Sequence, residues 1–344
     1  MILYSMRKFK EIQEEKSYDA FFCADGLEGR DVRVVELFSQ NKKLSVKKWV
    51  IFHYKEREAD KQGDKSKLMT YLEGERVANI LTSYQDPRSY SQILQEILQE
   101  MKGYKNVGID ITGFKNQFFF PLLKIFAQKS QIEKLDVFYT EPSTYRFPKK
   151  KTGIDYFPNM QKDQRVFFNY SKTEGGVEIK SIPGFEGGRA KKTVLVILIG
   201  FDGKVAVRIK EEYNAEKVLL INGFPSYLPK FRDISLLNNK ELVNGSRKDE
   251  IFNTYADNPF EVYNVLDRIK RTYEDYKLLV APLGAKPLAL GVCKFGLDFP
   301  QTAVLYVESS KYVEESTEDY GETWEYQLEL KKNVLCEENG KWKK

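Results

Sequence analysis

The chain is poor in the residues that enzymes and metalloproteins most often recruit. Its three cysteines, Cys23, Cys293 and Cys336, lie far apart and form no CxxC pair. That excludes a zinc-ribbon pattern and fits a reducing compartment. A single histidine, His53, stands in 344 residues. Histidine-rich metal sites are therefore excluded, and a nucleophilic cysteine would lack its usual base. Cys23 and Cys293 sit among apolar residues and read as buried thiols. His53 follows the apolar stretch 49–52 and reads as a satisfied, partly buried side chain. There is no GxGxxG, GxxxxGK[ST] or HExxH, and no GxSxG followed by a histidine. Gly187-Gly188-Arg189-Ala190-Lys191-Lys192-Thr193 resembles a phosphate loop only superficially, because it precedes a strand instead of following one. These absences argue against tightly bound NAD, and no cofactor or metal is expected.

Long apolar runs are also missing. None approaches the roughly 18–20 residues that cross a bilayer. The N-terminus lacks the charged start, apolar stretch and small-residue site of a signal peptide. A cytoplasmic location without a membrane partner is the expectation. The net charge of +5 tolerates an anionic ligand or a polynucleotide and requires neither. The basic clusters 149–151 and 341–344 read as a solvated loop and tail.

What is present is a soluble, globular composition, 42% hydrophobic and 31% charged, long enough for two domains. The chain also repeats itself. Gly26-Leu27-Glu28-Gly29-Arg30 returns as Gly200-Phe201-Asp202-Gly203-Lys204. Gly113-Phe114-Lys115 returns as Gly284-Ala285-Lys286, and Tyr139-Thr140-Glu141 as Tyr306-Val307-Glu308. The separations are 174, 171 and 167 residues, in the same order. A repeat this long means two copies of a domain, since a solenoid repeats every 20–50 residues.

Each copy alternates short apolar runs with helical patterns. In the first, strands are expected at 20–24, 49–52, 106–111 and 135–140, the last ended by Glu141-Pro142. Helices are expected at 30–38, from Pro87 through Ile93, Leu94, Ile97, Leu98 and Met101, and at 118–127. In the second, strands are expected at 194–199, 218–221, 278–281 and 303–307. Helices are expected at 205–212, from Pro259, and at 287–295. Alternation of this kind implies right-handed crossovers and mostly parallel sheets covered on both faces. The fold class is α/β, two tandem Rossmann-like units related by internal duplication. The first unit spans 1–146 and the second 193–312. Between them, 147–192 is a linker or hairpin insertion, with 166–170 and 177–179 as a candidate hairpin. Residues 313–344 hold one more strand, read as an edge, and a charged tail.

The repeated polar residues fall at strand ends, where open α/β sheets bind ligands. Gly26 and Gly200 permit a sharp turn and close ligand approach. Arg30 and Lys204 close the same motif. Glu28 and Asp202 either cap the following helix or accept from ribose hydroxyls. Lys115 and Lys286, behind Gly113 and Gly284, start a helix where a cation opposes the dipole, so each either pairs with phosphate or snorkels to solvent. Asp110 and Thr112 precede the first lysine, and Ala281 and Leu283 replace them in the second copy. Tyr139, Glu141, Tyr306 and Glu308 end the last repeated strand, where a tyrosine either stacks on a base or packs under a loop. Asn222, Tyr227 and Asp233 line a further strand-end loop. The unequal copies suggest one asymmetric site centred on the first Gly-x-Lys turn.

Asp110-Ile111-Thr112-Gly113-Phe114-Lys115 resembles the signature of the CRISPR-associated Rossmann-fold (CARF) ligand-binding domains, a strand-end [DN]-x-[ST] followed by a basic residue at a helix start. Lys115 comes one residue earlier than the commoner spacing. Pro282-Leu283-Gly284-Ala285-Lys286 looks like a degenerate copy. The pairing of two unequal halves in one chain is similar to the fused arrangement of SAVED domains. The resemblance implies a sensor of a nucleotide or cyclic oligonucleotide in bacterial antiviral defence, signalling to a separate effector protein. Two alternatives stand beside it. One is a nucleotide- or nucleoside-processing enzyme, a glycosidic-bond hydrolase or transferase or a ring nuclease, using Glu28, Asp110 or Glu141. The other is a protein-interaction scaffold.

Overall fold

A computed structural model describes residues 2–9, 15–26, 29–55, 67–82, 92–93, 95, 97, 101, 103–129, 131–145, 173–312 and 317–329. Glu28, Pro87, Leu94, Leu98, Cys336, the segment 166–170 and both basic clusters lie outside the described residues.

Two sheets organise the chain. The first contains β1 (Ile2–Lys8), β3 (Ala20–Asp25), β5 (Trp49–Tyr54), β6 (Val77–Thr82), β7 (Asn106–Asp110), β8 (Lys134–Tyr145) and β15 (Thr317–Glu329). Its order is β1-β15-β8-β7-β3-β5-β6. The second contains β9 (Thr173–Ser181), β10 (Thr193–Ile199), β11 (Lys217–Gly223), β12 (Ile251–Thr254), β13 (Lys277–Pro282) and β14 (Ala303–Tyr312), in the order β12-β11-β10-β13-β14-β9. A short parallel pair, β2 (Lys16–Tyr18) with β4 (Leu44–Val46), stands apart.

In each sheet five strands run parallel. Numbered by appearance, both sets follow the order 3-2-1-4-5, that of a Rossmann-like half. Each reverses direction of build between its first and fourth strands, at β3/β7 and at β10/β13. Each also carries an antiparallel strand beside its fifth, β15 next to β8 and β9 next to β14. The central strands are continuous apolar runs because both faces are covered. Every residue of β3 is buried, as is every residue of β10 after Thr193.

The helices are α1 (Arg33–Gln40), α2 (Lys67–Tyr71), α3 (Asn116–Gln128), α4 (Gly203–Tyr213), α5 (Pro229–Asn238), α6 (Lys240–Asn244), α7 (Pro259–Thr272) and α8 (Lys286–Asp298). Helices α3 and α8 are apolar nearly all round, the pattern of a helix buried between layers. They pack against each other, and one core cluster runs from Phe119 and Leu123 through Leu290 and Cys293 into both sheets. Smaller clusters cover the outer faces, under α1 in the first half and under α4 and α6 in the second. Ile93, Ile97 and Met101 join the shared core as the i, i+4 spacing requires.

Two expectations need correction. Glu141-Pro142 does not end its strand. β8 continues to Tyr145 because Pro142 pairs beside an irregularity in β15, where no ladder N–H is required of it. The last strand is not an edge: β15 lies between β1 and β8, hydrogen-bonded on both sides. Residues 177–179 do form a strand, within β9, which pairs with β14; the hairpin's other arm, 166–170, lies outside the described residues.

Candidate functional site

The β10/β13 reversal opens a cavity of about 170 Å³ at the carboxyl ends of the parallel strands. Open α/β sheets place their ligands at such a point. The floor comes from two turns, Ile199-Gly200-Phe201 after β10 and Leu283-Gly284-Ala285 after β13. Glycine is required at 200, because a Cβ there would fall 2.2 Å from the Leu283 carbonyl oxygen. Asn239 Nδ2 and Ser235 Oγ donate to Gly200 O at 2.7 and 3.3 Å, and Asn238 Nδ2 donates to Phe201 O at 2.9 Å, so α5 and the residue after it fix the first turn. Asn222, at the end of β11, lines one side. The first sheet supplies the facing wall: Tyr139, Glu141 and Pro142 of β8. Tyr139 and Glu141 share a face because side chains alternate along a strand.

Polar groups point into this space without partners in the protein. Asn222 is 1% exposed, and neither Nδ2 nor Oδ1 is hydrogen-bonded. Glu141 is 5% exposed. Its Oε1 accepts from Trp324 Nε1–H at 2.9 Å, while Oε2 has no partner. Burial pushes the Glu141 carboxyl up to about 7, with Asp257 and Glu322 acting in the same direction and the Trp324 bond opposing them. Each buried, unsatisfied polar atom costs about 1–3 kcal/mol, a cost that a complementary ligand removes. The charged side chains lining the cavity are Glu141 and Asp202, with no cation among the described residues. Phe201, Tyr227 and Phe231 add rings, Phe201 and Phe231 meeting edge-on at 5.6 Å.

Five of the sequence-predicted residues meet here: Tyr139, Glu141, Gly200, Asp202 and Gly284. Asp202 also caps α4, its Oδ1 accepting from Val205 N at 3.3 Å, which is the first of the two roles considered for it. The Asn222 and Tyr227 loop belongs to the site too, whereas Asp233 is exposed and outside it.

The β3/β7 reversal in the first sheet is arranged differently. A Cβ on Gly26 would lie 2.7 Å from Gly113 Cα, and one on Gly113 would lie 2.0 Å from Ala24 O, so these turns interlock. Asp110 Oδ1 accepts from Thr112 N at 2.9 Å, and Thr112 Oγ1 accepts from Thr140 N at 2.9 Å. Arg30 donates to Thr140 O and lies 5.4 Å from the centroid of the Tyr139 ring. Burial raises the Asp110 carboxyl to about 6, against the Thr112 bonds and the charges of Lys286 and Arg30. The polar motif thus ties strand ends together.

Neither helix-start lysine lines the cavity. Lys115 is the N-cap of α3, outside the first turn where it was expected, and its backbone N–H donates to Tyr54 Oη at 3.3 Å. Lys286 opens α8 and its ammonium donates to Thr112 O across the interface. Asn116, which opens α3, returns the contact: Nδ2 donates to Pro282 O at 3.2 Å. Lys286 offsets its unfavourable dipole by finding a carbonyl of the other half. Lys204 is exposed on α4, Tyr306 is packed in the shared core, and Glu308 pairs with Lys180 of β9. His53 sits between Asp25 Oδ2 at 3.4 Å and Asn79 Oδ1 at 2.9 Å, the satisfied side chain expected. Cys23 and Cys293 are fully buried thiols, held above their ordinary pKa by burial.

Trp324 was missed, and no local signal marks it, since its partner Glu141 lies 183 residues earlier. Ser226, Phe231, Ser235 and Leu288 were missed because small and apolar residues on helices and turns read as core.

No family model matches the chain, and no curated protein matches it. Among solved structures, it is similar at 9% identity to one described as the adenylation, ketoreductase and pseudo Asub multidomain structure of a keto acid-selecting NRPS module. That match covers 81% of this chain and 27% of the other, so the chain spans about a quarter of its neighbour, with a TM-score of 0.22. A likeness of that size carries no argument.

Proposed function

We propose that this chain is a ligand-sensing module that takes the base or nucleoside part of a nucleotide into the β10/β13 cavity. The observation that carries the reading is the Asn222 carboxamide, buried, unpartnered and facing a strand-end cavity at a Rossmann-like reversal point. A carboxamide offers one donor and one acceptor side by side, the pattern that matches a base edge. The volume supports one ring: a dry cavity of about 150 Å³ accommodates a benzene. Absence of a lining cation keeps phosphates out of the cavity and at its mouth.

The matching strand orders and the reciprocal contacts of Lys286 and Asn116 support two units related by duplication, over 1–146 and 193–312. Contact of i with j and of j with i is what an approximate two-fold axis produces. With that arrangement, the CARF- and SAVED-like reading becomes a proposal about role: a sensor of bacterial antiviral defence acting on a separate effector, its ligand a nucleotide or cyclic oligonucleotide. In the motif that suggested it, Asp110 to Lys115, Asp110 Oδ1, Thr112 and the Lys115 N–H make internal contacts, and the cavity lies in the other half, so the ligand site is assigned there.

Calorimetry with nucleosides, mononucleotides and cyclic oligonucleotides tests the reading. At least one class binds the wild type, and Asn222→Ala weakens it about 10- to 100-fold. No heat from any class sinks the proposal.

One observation favours a second reading, hydrolysis or transfer at a glycosidic bond. Glu141 presents a free oxygen to the cavity and titrates near neutrality, as a general acid or base requires. Mass spectrometry of bound nucleosides after prolonged incubation decides between binding and turnover. Product that disappears in Glu141→Gln, with binding retained, establishes the enzyme.

A further inference from the structure

Charge at the cavity is one-sided. Glu141 and Asp202 line it, and among the described residues no lysine or arginine does. Two more carboxylates stand behind Glu141: Asp257 and Glu322 both push its carboxyl towards the neutral form. Asp257 follows Ala256, a lining residue, and is itself held above the ordinary carboxylate range by burial first and then by Glu261. The Tyr326 hydroxyl donates to Asp257 O at 2.8 Å, and burial keeps it neutral. Two cations stand nearby. Lys8, which opposes the carboxylates, lies 3.9 Å from Glu322 Oε1 and 5.6 Å from the centroid of the Trp324 ring. Arg30 donates to Thr140 O and lies 5.4 Å from the centroid of Tyr139. Neither lines the cavity.

Four aromatic rings share that lining, Tyr139, Phe201, Tyr227 and Phe231. The face of such a ring carries partial negative charge and attracts a cation. A neutral ligand ring would gain from packing against them and from one hydrogen bond to Glu141 Oε2, which is buried and unpartnered. A cationic ring gains the same and also pairs with the carboxylate. Taking a cation out of water is costly, and a counter-charge within the site offsets that cost. Glu141 can supply it: its carboxyl titrates at about 7, and a bound cation holds it ionised. An anion would meet only carboxylates.

We propose that the group seated in the β10/β13 cavity is positively charged, a cationic nitrogen heterocycle with its charge set against Glu141 and its faces against the aromatic lining. This rests on the nucleoside reading for the identity of the ring and adds the charge. The ligand is then a nucleoside whose base is protonated or alkylated on a ring nitrogen.

The test is calorimetry on the full chain with adenosine, cytidine, guanosine and uridine, and with the ring-methylated cations 1-methyladenosine and 3-methylcytidine. A cation without ribose, 1-methylpyridinium, completes the set. At least one methylated cation is expected to bind wild type about tenfold tighter than its neutral parent. Glu141→Gln keeps the shape and an acceptor for Trp324, and is expected to erase the difference between cation and parent; its melting curve shows that it folds. In wild type, cation affinity is expected to rise with pH up to about 7 and to level above it. Below that value Glu141 releases a proton as the cation binds, counted by repeating the titration in buffers of different ionisation enthalpy. Cations that bind no tighter than their parents overturn the inference and leave the nucleoside reading standing. So does a preference that survives in Glu141→Gln, or cation binding without proton release. Binding of 1-methylpyridinium with the same dependence on Glu141, while no nucleoside binds, supports the charge and overturns the nucleoside reading. Failure of every compound overturns both.

Discussion

At the β3/β7 crevice, Asp110 Oδ1, Thr112 and Arg30 make hydrogen bonds to the backbone of their own half, and Asp110 Oδ2 is buried without a partner. At the β10/β13 crevice, Ala281 and Leu283 stand where Asp110 and Thr112 would be, and the buried polar groups, Asn222 and Glu141 Oε2, meet nothing in the protein. The first crevice is filled by glycine turns that interlock and by side chains that staple them. The second keeps its glycine turns, the first of them held by Ser235, Asn238 and Asn239, and the space beside them is lined from the other sheet. Polarity near a strand end is therefore a poor guide to a ligand site until its hydrogen bonds are assigned.

The comparison breaks most sharply at the packed crevice. Gly113→Ala places a methyl group 2.0 Å from Ala24 O. It is expected to cost about 3 kcal/mol, at the upper end of overpacking, and urea denaturation measures it. A loss under about 0.5 kcal/mol would mean the turns are not interlocked.

Next come two polar-to-apolar changes with opposite signs. Thr112→Val strips a buried acceptor from Thr140 N and is expected to destabilise by about 1–2 kcal/mol. Asn222→Leu removes two unsatisfied polar atoms and is expected to stabilise the free protein by about 1 kcal/mol while abolishing ligand binding. Melting temperatures of the pair, taken together, decide; equal signs would erase the distinction between the crevices.

Titrations test the same comparison through its two buried carboxyls. Glu141 and Asp110 both have folded-state values raised above those of unfolded carboxyls, to about 7 and about 6. The folded protein then binds more protons than the unfolded one between the two values. Stability is highest below the unfolded pKa and falls as pH rises, for Glu141 from about 4.5 to 7 and for Asp110 from about 3.8 to 6. Glu141→Gln is expected to flatten the upper part of the melting-temperature profile and Asp110→Asn the lower part. Unchanged slopes in both variants would place the titrations elsewhere.

The parallel cores were legible in the sequence because buried central strands such as 194–199 are continuous apolar runs closed by glycine. Helices α3, α7 and α8 announced themselves through apolar faces, and α7 and α8 also through initial prolines. Less regular strands left weaker marks. β6 alternates imperfectly between half-buried and exposed residues, and β12 is four residues long. Neither carries a periodicity that separates it from a loop. Of the site, the repeat revealed the glycines, Tyr139, Glu141 and Asp202. It put the centre at the first Gly-x-Lys turn because it weighted Asp110 and Thr112 as ligand groups, whereas the cavity lies at the other crevice. Asn222 stood out only as one polar residue at a strand end, and what singles it out, the lack of any partner, is a property of the folded molecule.

The position of β15 has a consequence for synthesis. Its pairing with β8 bridges residues made early to residues made near the end of the described chain. A ribosome that has released the whole second unit has still not delivered the strand that completes the first sheet, nor Trp324, which orients Glu141. Until then β8 presents an open edge, and the cavity wall lacks its anchor. The first sheet is therefore completed only after its last described strand is threaded home, so a truncated or stalled product is born with that side of β8 unpaired.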